Sequence, residues 1–293
     1  MDWQSLEQHL AVVLNQDFQI DTVQQIGGGD INQAYSISSG GQTYFVKVNQ
    51  SALVDMFEAE QAGLNEIAAT RTIRVPKPIS CGQVIHHSFL LMENLNLKRG
   101  SSNTDAMLGE KLAQLHRIKQ PYFGWFRNNT IGSTPQINDP SEFWPDFWCH
   151  QRLKFQLKLA ADKGYTGRLQ KQGELLCGQL GVFFTGYQPQ PSLVHGDLWA
   201  GNAGVANTNE PVIYDPACYY ADREVDIAMT ELFGGYSANF YAAYNDFFPL
   251  DSGYQVRKTL YNLYHILNHL NLFGSGYLSQ AESMMDRLLA EVG

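Results

Sequence analysis

The sequence predicts an α+β fold of two lobes, a small antiparallel β-sheet lobe followed by a larger, mainly helical one. Two patterns carry this reading. Short apolar and β-branched runs separated by glycine-rich punctuation fill much of the first 93 residues, and after Glu93 the hydrophobic period becomes helical almost throughout. Length agrees, since 293 residues suit two domains or one domain of two lobes. The lobes are expected at 1–93 and 98–293, with a linker at 94–97 and a cleft between them.

Trp3, Leu6, Leu10, Val13 and Leu14 recur at helical spacing, so an amphipathic helix opens the chain. Strands follow at Phe18 to Ile26, Ala34 to Ser38 and Thr43 to Val48, punctuated by Gly27-Gly28-Gly29-Asp30 and Ser38-Ser39-Gly40-Gly41. A helix over Val54 to Ala69 is broken off by Val75-Pro76-Lys77-Pro78, and two strands succeed it near Ile79–Ile85 and Ser88–Met92. Helices are then expected around Leu108–Leu115, Phe143–Leu157, 167–184, 223–233, 237–247, 254–272 and 277–291. Only Leu193 to Asp215 interrupts them, as strand, loop and hairpin.

Composition removes several classes of function. Net charge is −9 and no basic stripe is visible, which argues against nucleic-acid binding. No run approaches the ~20 apolar residues of a membrane span, and the opening residues do not resemble a secretory signal. Cys81, Cys149, Cys177 and Cys218 are widely spaced, so neither a zinc site nor a disulfide scaffold is expected, and a reducing, cytoplasmic setting fits.

The chemistry concentrates in His195-Gly196-Asp197-Leu198-Trp199-Ala200-Gly201-Asn202. HGD alone reads equally well as a turn. The spacing Asp-x-x-x-x-Asn, however, is that of kinase catalytic loops, in which the Asp accepts a hydroxyl proton and the Asn holds magnesium. Val212-Ile213-Tyr214 then leads to Asp215 at the far end of a hairpin-sized segment, the place of a second magnesium ligand.

A nucleotide half would need a glycine-rich hairpin, a strand lysine and a helical glutamate. Gly27, Gly28, Gly29 and Asp30 offer the loop, since glycine lets backbone amides approach phosphate. Lys47 lies inside the apolar strand Tyr44-Phe45-Val46-Lys47-Val48, where a lysine is costly unless paired. Glu60 shares a helical stripe with Phe57, Leu64 and Ile67 and is its expected partner, whereas Glu58 falls on a more polar face. Met92, Glu93 and Leu95 stand where a kinase linker passes the adenine. Together these residues imply an ATP- and Mg2+-dependent kinase of the two-lobed protein-kinase-like fold.

With these residues in place, the chain resembles the fructosamine kinase (ketosamine-3-kinase) family, a branch of the protein-kinase-like superfamily close to the aminoglycoside phosphotransferases. The resemblance rests on Leu193 to Asn202 and Tyr214-Asp215-Pro216-Ala217. It extends to Asp222 through Gly235 and to Tyr261 through Gly274. It implies transfer of the ATP γ-phosphoryl group to the 3-hydroxyl of a ketosamine, either a small molecule or a glycated protein amine, after which the unstable adduct releases the amine. By position, Asp197 is the base, Asn202 and Asp215 bind magnesium, and Lys47 with Glu60 secures the phosphates. Trp199, Tyr219 and Asp222 are candidate substrate contacts.

Other residues carry weaker expectations. Asp222 is also a candidate helix cap, Asp226 a support for the catalytic loop, and His116 a core histidine bonded to backbone. Trp144, Trp148, Tyr220 and Tyr236 are aromatic candidates for a sugar surface, though core packing is the commoner role. His265 and His269 are read as packing residues. Nucleic-acid and membrane partners are not expected, and a monomer is one allowed state. The alternatives are a phosphotransferase acting on another hydroxyl, of the aminoglycoside or choline kinase type, and a catalytically inactive binding module. Retention of Lys47, Asp197 and Asp215 disfavours the module.

Overall fold

The computed structural model describes residues 1–27 and 31–293. In chain order it contains α1 (Trp3–Leu14), β1 (Thr22–Ile26), β2 (Gln33–Ser39), β3 (Gln42–Gln50), α2 (Val54–Thr70), β4 (Pro78–Val84), β5 (His87–Glu93) and α3 (Ser102–Leu115). A hairpin of β6 (Asn129–Ile131) and β7 (Thr134–Gln136) follows, then α4 (Trp144–Phe147), a π-helical turn at Trp148–Leu153, α5 (Lys154–Asp162) and α6 (Arg168–Gln179). β8 (Ser192–Val194), β9 (Ala203–Val205), β10 (Pro211–Ile213) and β11 (Tyr219–Ala221) precede α7 (Glu224–Leu232), α8 (Ala238–Phe247), α9 (Tyr254–Phe273) and α10 (Leu278–Val292).

The chain divides into two compact units, Met1–Gly100 with Gly204–Asp215, and Ser101–Ala203 with Pro216–Gly293. The division falls after Gly100 instead of at 94–97, and the 204–215 segment groups with the first unit. Backbone pairing explains this. Lys98 and Val205 exchange N–H···O bonds of 2.9 Å, and Ile213 N donates to Arg74 O at 3.1 Å. A Cβ at Gly204 would stand 3.0 Å from the Leu97 Cβ, so the glycine permits a close approach there.

In the first unit the three expected N-terminal strands join β4 and β5 in one five-stranded antiparallel sheet, ordered β1-β2-β3-β5-β4. Because strand side chains alternate, β3 and β5 each present two faces. Val46, Val48, Phe89 and Leu91 form a buried core with Leu6 and Leu10 of α1. Lys47, Leu90 and Met92 fall on the opposite face. α1 itself starts where Asp2 accepts the Ser5 N–H at 3.1 Å.

The second unit is mostly helical. α9 is buried along most of its length and is the hub of this unit, with Leu260, Leu263, Ile266, Leu267 and Leu270 at or near zero exposure. α3 opens with a capping box between Ser101 and Thr104. It meets α8 at Gly109, where a Cβ would lie 2.2 Å from the Phe240 carbonyl oxygen. Two strand pairs interrupt the helices beyond the expected one: β8 pairs with β11, and β6 with β7. The 129–136 hairpin falls between the helices expected at Leu108–Leu115 and Phe143–Leu157, where no strand was expected.

Gly109 and Gly178 separate steric from conformational effects. Gly109→Ala should cost about 3 kcal/mol through backbone overlap, whereas Gly178→Ala, exposed in α6 with nothing within 4 Å of the added Cβ, should gain about 0.5–1 kcal/mol. Urea denaturation of both variants checks the pair, and equal effects would contradict it.

Candidate active site

In the first unit the period-2 alternation that buries Val46 and Val48 turns Lys47 toward α2, where its ammonium lies 2.6 Å from Glu60 Oε1. Lys47 is 7% exposed. The same ammonium also donates to Asp215 Oδ1. One cation thus sits between two carboxylates. Burial opposes charge on Lys47, but Asp215 and Glu60 outweigh it and hold its pKa above the usual lysine range. For Glu60, burial is the larger effect and the neighbouring Asp215 charge adds to it, so its carboxyl is pushed up to about 7 despite Lys47. Both shifts follow from a buried cluster with one positive and two negative members. Asp215 itself adopts φ 58°, the left-handed region that Asp enters more readily than most residues.

Of the other nucleotide-side candidates, Met92 is buried and Leu95 half-buried. Glu93 accepts the Lys77 N–H at 2.8 Å and pairs with Arg74 at 3.3 Å, so its side chain serves the fold. Gly28, Gly29 and Asp30 lie outside the described residues. A Cβ at Gly27 would meet nothing within 4 Å, so packing does not account for that glycine.

In the second unit the loop after β8 is set by its glycines and by a buried carboxylate. Gly196 has φ 84°, and a Cβ there would overlap the Ala217 carbonyl oxygen at 2.2 Å. Asp226, fully buried in the first turn of α7, accepts the His195 N–H at 2.7 Å and the Gly196 N–H at 2.8 Å. Asp197 is left half-buried immediately beyond this anchor. The Asn202 amide donates to Asp197 O at 2.9 Å and Oδ2 at 3.3 Å, which turns Asn202 Oδ1 the other way. Leu198 points into the core, whereas Trp199 is 40% exposed. The Trp199 indole folds over Gly201, where a Cβ would fall 2.1 Å from the ring. Tyr236 also reaches the loop, its hydroxyl donating to Trp199 O at 3.3 Å.

Two substrate candidates are corrected. Tyr219 is 2% exposed, stacked on Phe147 at 5.9 Å under the Arg152 guanidinium, so it packs. Asp222 is fully buried and receives hydrogen bonds from Tyr187 at 2.9 Å, Tyr261 at 2.5 Å and Glu224 N at 3.1 Å. Its place is the start of α7. Trp144, Trp148 and Tyr220 are core residues as well.

The expectation for His116 also changes, since its partners are side chains. Its Nε2–H donates to Asp226 Oδ2 at 3.1 Å, and its Nδ1 accepts the Tyr244 hydroxyl at 2.7 Å. Arg223 in turn donates to the Tyr244 oxygen at 2.9 Å. Sequence gave no partner for His116, although a histidine closing α3 and an acid in the first turn of α7 were both visible. His265 is buried, and His269 Nδ1 donates to the His265 carbonyl at 2.8 Å, so packing describes both.

Burial lowers the His116 pKa and outweighs the pull of Asp226. For Asp226, burial would raise the carboxyl, but the hydrogen bond and charge of His116 with the His195 N–H bring it below the usual range. Both groups therefore bind fewer protons folded than unfolded. The stability they contribute is present above their ordinary values and lost as pH falls, for His116 below 6.5 and for Asp226 below 3.8. The stability gap between wild type and His116→Gln should accordingly narrow from pH 7 to pH 5 in urea denaturation. A gap independent of pH would contradict a neutral His116.

Comparison with known proteins fits this geometry. The family described as fructosamine kinase matches residues 2–291. A "Probable ketoamine kinase" of Synechocystis sp. is 46% identical over 98% of this chain and 97% of its own. The "Protein-ribulosamine 3-kinase, chloroplastic" of Arabidopsis thaliana is 43% identical over 92% of this chain and 83% of its own. The crystal structure of a Haemophilus somnus protein, provisionally assigned as a fructosamine-3-kinase, superposes with TM-score 0.90 at 32% identity, covering 98% of this chain and 97% of that one. The aminoglycoside phosphotransferase APH(2'')-Ib shares the protein-kinase-like fold, with TM-score 0.64 at 14% identity. The chain belongs to the fructosamine kinase family.

Proposed function

We propose that the protein transfers the γ-phosphoryl group of ATP to the 3-hydroxyl of a ketosamine of the fructosamine or ribulosamine type, and so acts in the removal of glycation from amines. The observation that carries this reading is the Asp197 carboxylate, left half-buried on a loop that Asp226 fixes. Support comes from relatives named ketoamine kinase and protein-ribulosamine 3-kinase that match nearly the whole chain.

In this reading Asp197 accepts the proton of the substrate hydroxyl as its oxygen bonds to the γ-phosphorus, and the bond to the departing ADP oxygen breaks. Lys47, held by Glu60, supplies positive charge to the nucleotide phosphates. Asn202 and Asp215 are the proposed magnesium ligands, and the residues suit that metal. Asn202 presents an amide oxygen because its NH2 is committed to Asp197, and the Asp215 side chain is 44% exposed. Among the described residues no group of three or more His, Cys, Asp or Glu side chains gathers into a metal cage. Magnesium held by one or two protein oxygens together with substrate phosphates needs none. When bound, it would neutralise charge on the transferring phosphoryl group. Trp199, exposed at 40%, is the proposed sugar contact, and its fold over Gly201 sets the direction of the ring. Gly27 to Asp30, Met92 and Leu95 remain proposed nucleotide contacts through their backbone.

Incubation with ATP, magnesium and a panel of ketosamines, aminoglycosides and amino alcohols should yield a 3-phosphorylated ketosamine. Turnover of aminoglycosides alone would overturn the acceptor assignment. Asp197→Asn should keep ATP affinity and lower kcat by about 1,000-fold, the middle of the range for a lost general base. Turnover near the wild-type rate would remove Asp197 from this role.

A further inference from the structure

Asn129, Gln136, Asn138 and Arg152 are each less than 8% exposed, and no step above uses them. Arg152 is an unusual buried cation. Its described partners are carbonyl oxygens and ring faces, with the guanidinium 4.2 Å from the Tyr219 ring centre and 4.7 Å from that of Phe147.

A guanidinium can only donate, and this fixes the direction of everything downstream. Arg152 donates to Asn138 Oδ1 at 2.7 Å. Asn138 must then turn its NH2 onward, to Asn129 Oδ1 at 2.9 Å. Asn129 in turn donates its NH2 to the Cys218 carbonyl at 2.8 Å. A second chain starts at the Tyr264 hydroxyl, which donates to Gln136 Oε1 at 2.8 Å. Gln136 passes its NH2 to the Ala217 carbonyl at 3.1 Å and to Asn129 Oδ1 at 2.9 Å. Two successive backbone carbonyls are therefore gripped by side-chain donors with one permitted orientation.

The gripped residues follow Asp215 by two and three positions. Asp215 is left-handed, at φ 58°, a conformation that a non-glycine residue keeps when its surroundings over-determine it. On the N-terminal side the chain is tied by Ile213 N to Arg74 O at 3.1 Å, and beyond it Ala217 N donates to His195 O at 2.9 Å.

We infer that Asn129, Gln136 and Asn138, polarised by Arg152 and Tyr264, are positioning residues that lock the Ala217–Cys218 backbone and so hold the turn at Asp215. The β6–β7 hairpin carries Asn129 and Gln136, and Asn138 follows it by two residues. The catalytic consequence rests on the proposed function, whereas the locking itself does not.

Hydrogen exchange of the ligand-free protein, read by mass spectrometry over residues 214–219, tests it alongside ketosamine kinetics. Asn129→Asp and Gln136→Glu replace a donor by an acceptor at nearly constant volume. Each should speed exchange at 214–219 by about 10-fold or more and leave α9 protected. Each should also lower kcat about 10-fold with the ketosamine KM changed by less than about 2-fold. Asn271→Asp is the control. It breaks buried amide bonds to Gln156 at 2.9 and 2.8 Å and should leave 214–219 as in wild type. If the charged variants do not fold, Tyr264→Phe decides, with an expected rise in exchange of about 3-fold at the same segment. Folded variants with wild-type exchange at 214–219, or faster exchange with unchanged kcat, would overturn the inference. A wild-type enzyme that phosphorylates no ketosamine would instead overturn the proposed function, and the exchange result would still judge the lock.

Discussion

A buried ammonium with two carboxylates is the constraint from which the N-terminal unit follows. Lys47 cannot remain in the apolar interior of β3 without anionic partners. Glu60 meets that need from α2, which fixes the helix against one face of the sheet, and Asp215 meets it from the end of the 204–215 segment. Burial, with the Asp215 charge added to it, pushes the Glu60 carboxyl up, while the two carboxylates together keep Lys47 charged against its own burial. Such a site is poised for another cationic ligand near Asp215 and for an anionic one near Lys47. Magnesium and nucleotide phosphate are the pair that the proposed reaction supplies.

The helical unit solves a related problem with backbone groups in place of a charged side chain. The loop at 195–202 and the strand start at 217–219 need irregular backbone, and irregular backbone leaves amides and carbonyls without ladder partners. Asp226 satisfies the amides of His195 and Gly196, and the amide chains from Arg152 and Tyr264 satisfy the carbonyls of Ala217 and Cys218. Asp226, Asn129 and Gln136 each hold more than one partner, so a shift at either end would strand a buried polar atom. Rigid positioning of this kind is what a reaction dependent on orientation requires.

Much of this was legible in the residues themselves. The alternation that buries Val46 and Val48 dictates which face Lys47 takes, and the stripe of Phe57, Leu64 and Ile67 selects Glu60 over Glu58. Glycine punctuation located the strands to within a few residues. The β6–β7 hairpin escaped because strands of three residues, mixed in polarity, carry no measurable period. Asn129, Gln136 and Asn138 drew no expectation from the sequence, since buried amides have no sequence mark until their partners are known. Tyr219 and Asp222 failed as substrate contacts for a different reason. Their residue types suit sugar recognition as well as they suit a buried network, and only burial with named partners separates the two.

Lys47 is the cation proposed to receive the nucleotide, and the proposed centre depends on it most directly. Calorimetric titration of ATP with magnesium into wild type and Lys47→Met measures this without any assumption about the acceptor. Loss of one charge-assisted phosphate contact should weaken binding by about 30-fold or more in a variant that remains folded. Equal affinity in the two proteins would contradict the placement of the nucleotide at Lys47, and with it the reading of the 47–60–215 cluster as half of a phosphoryl-transfer centre.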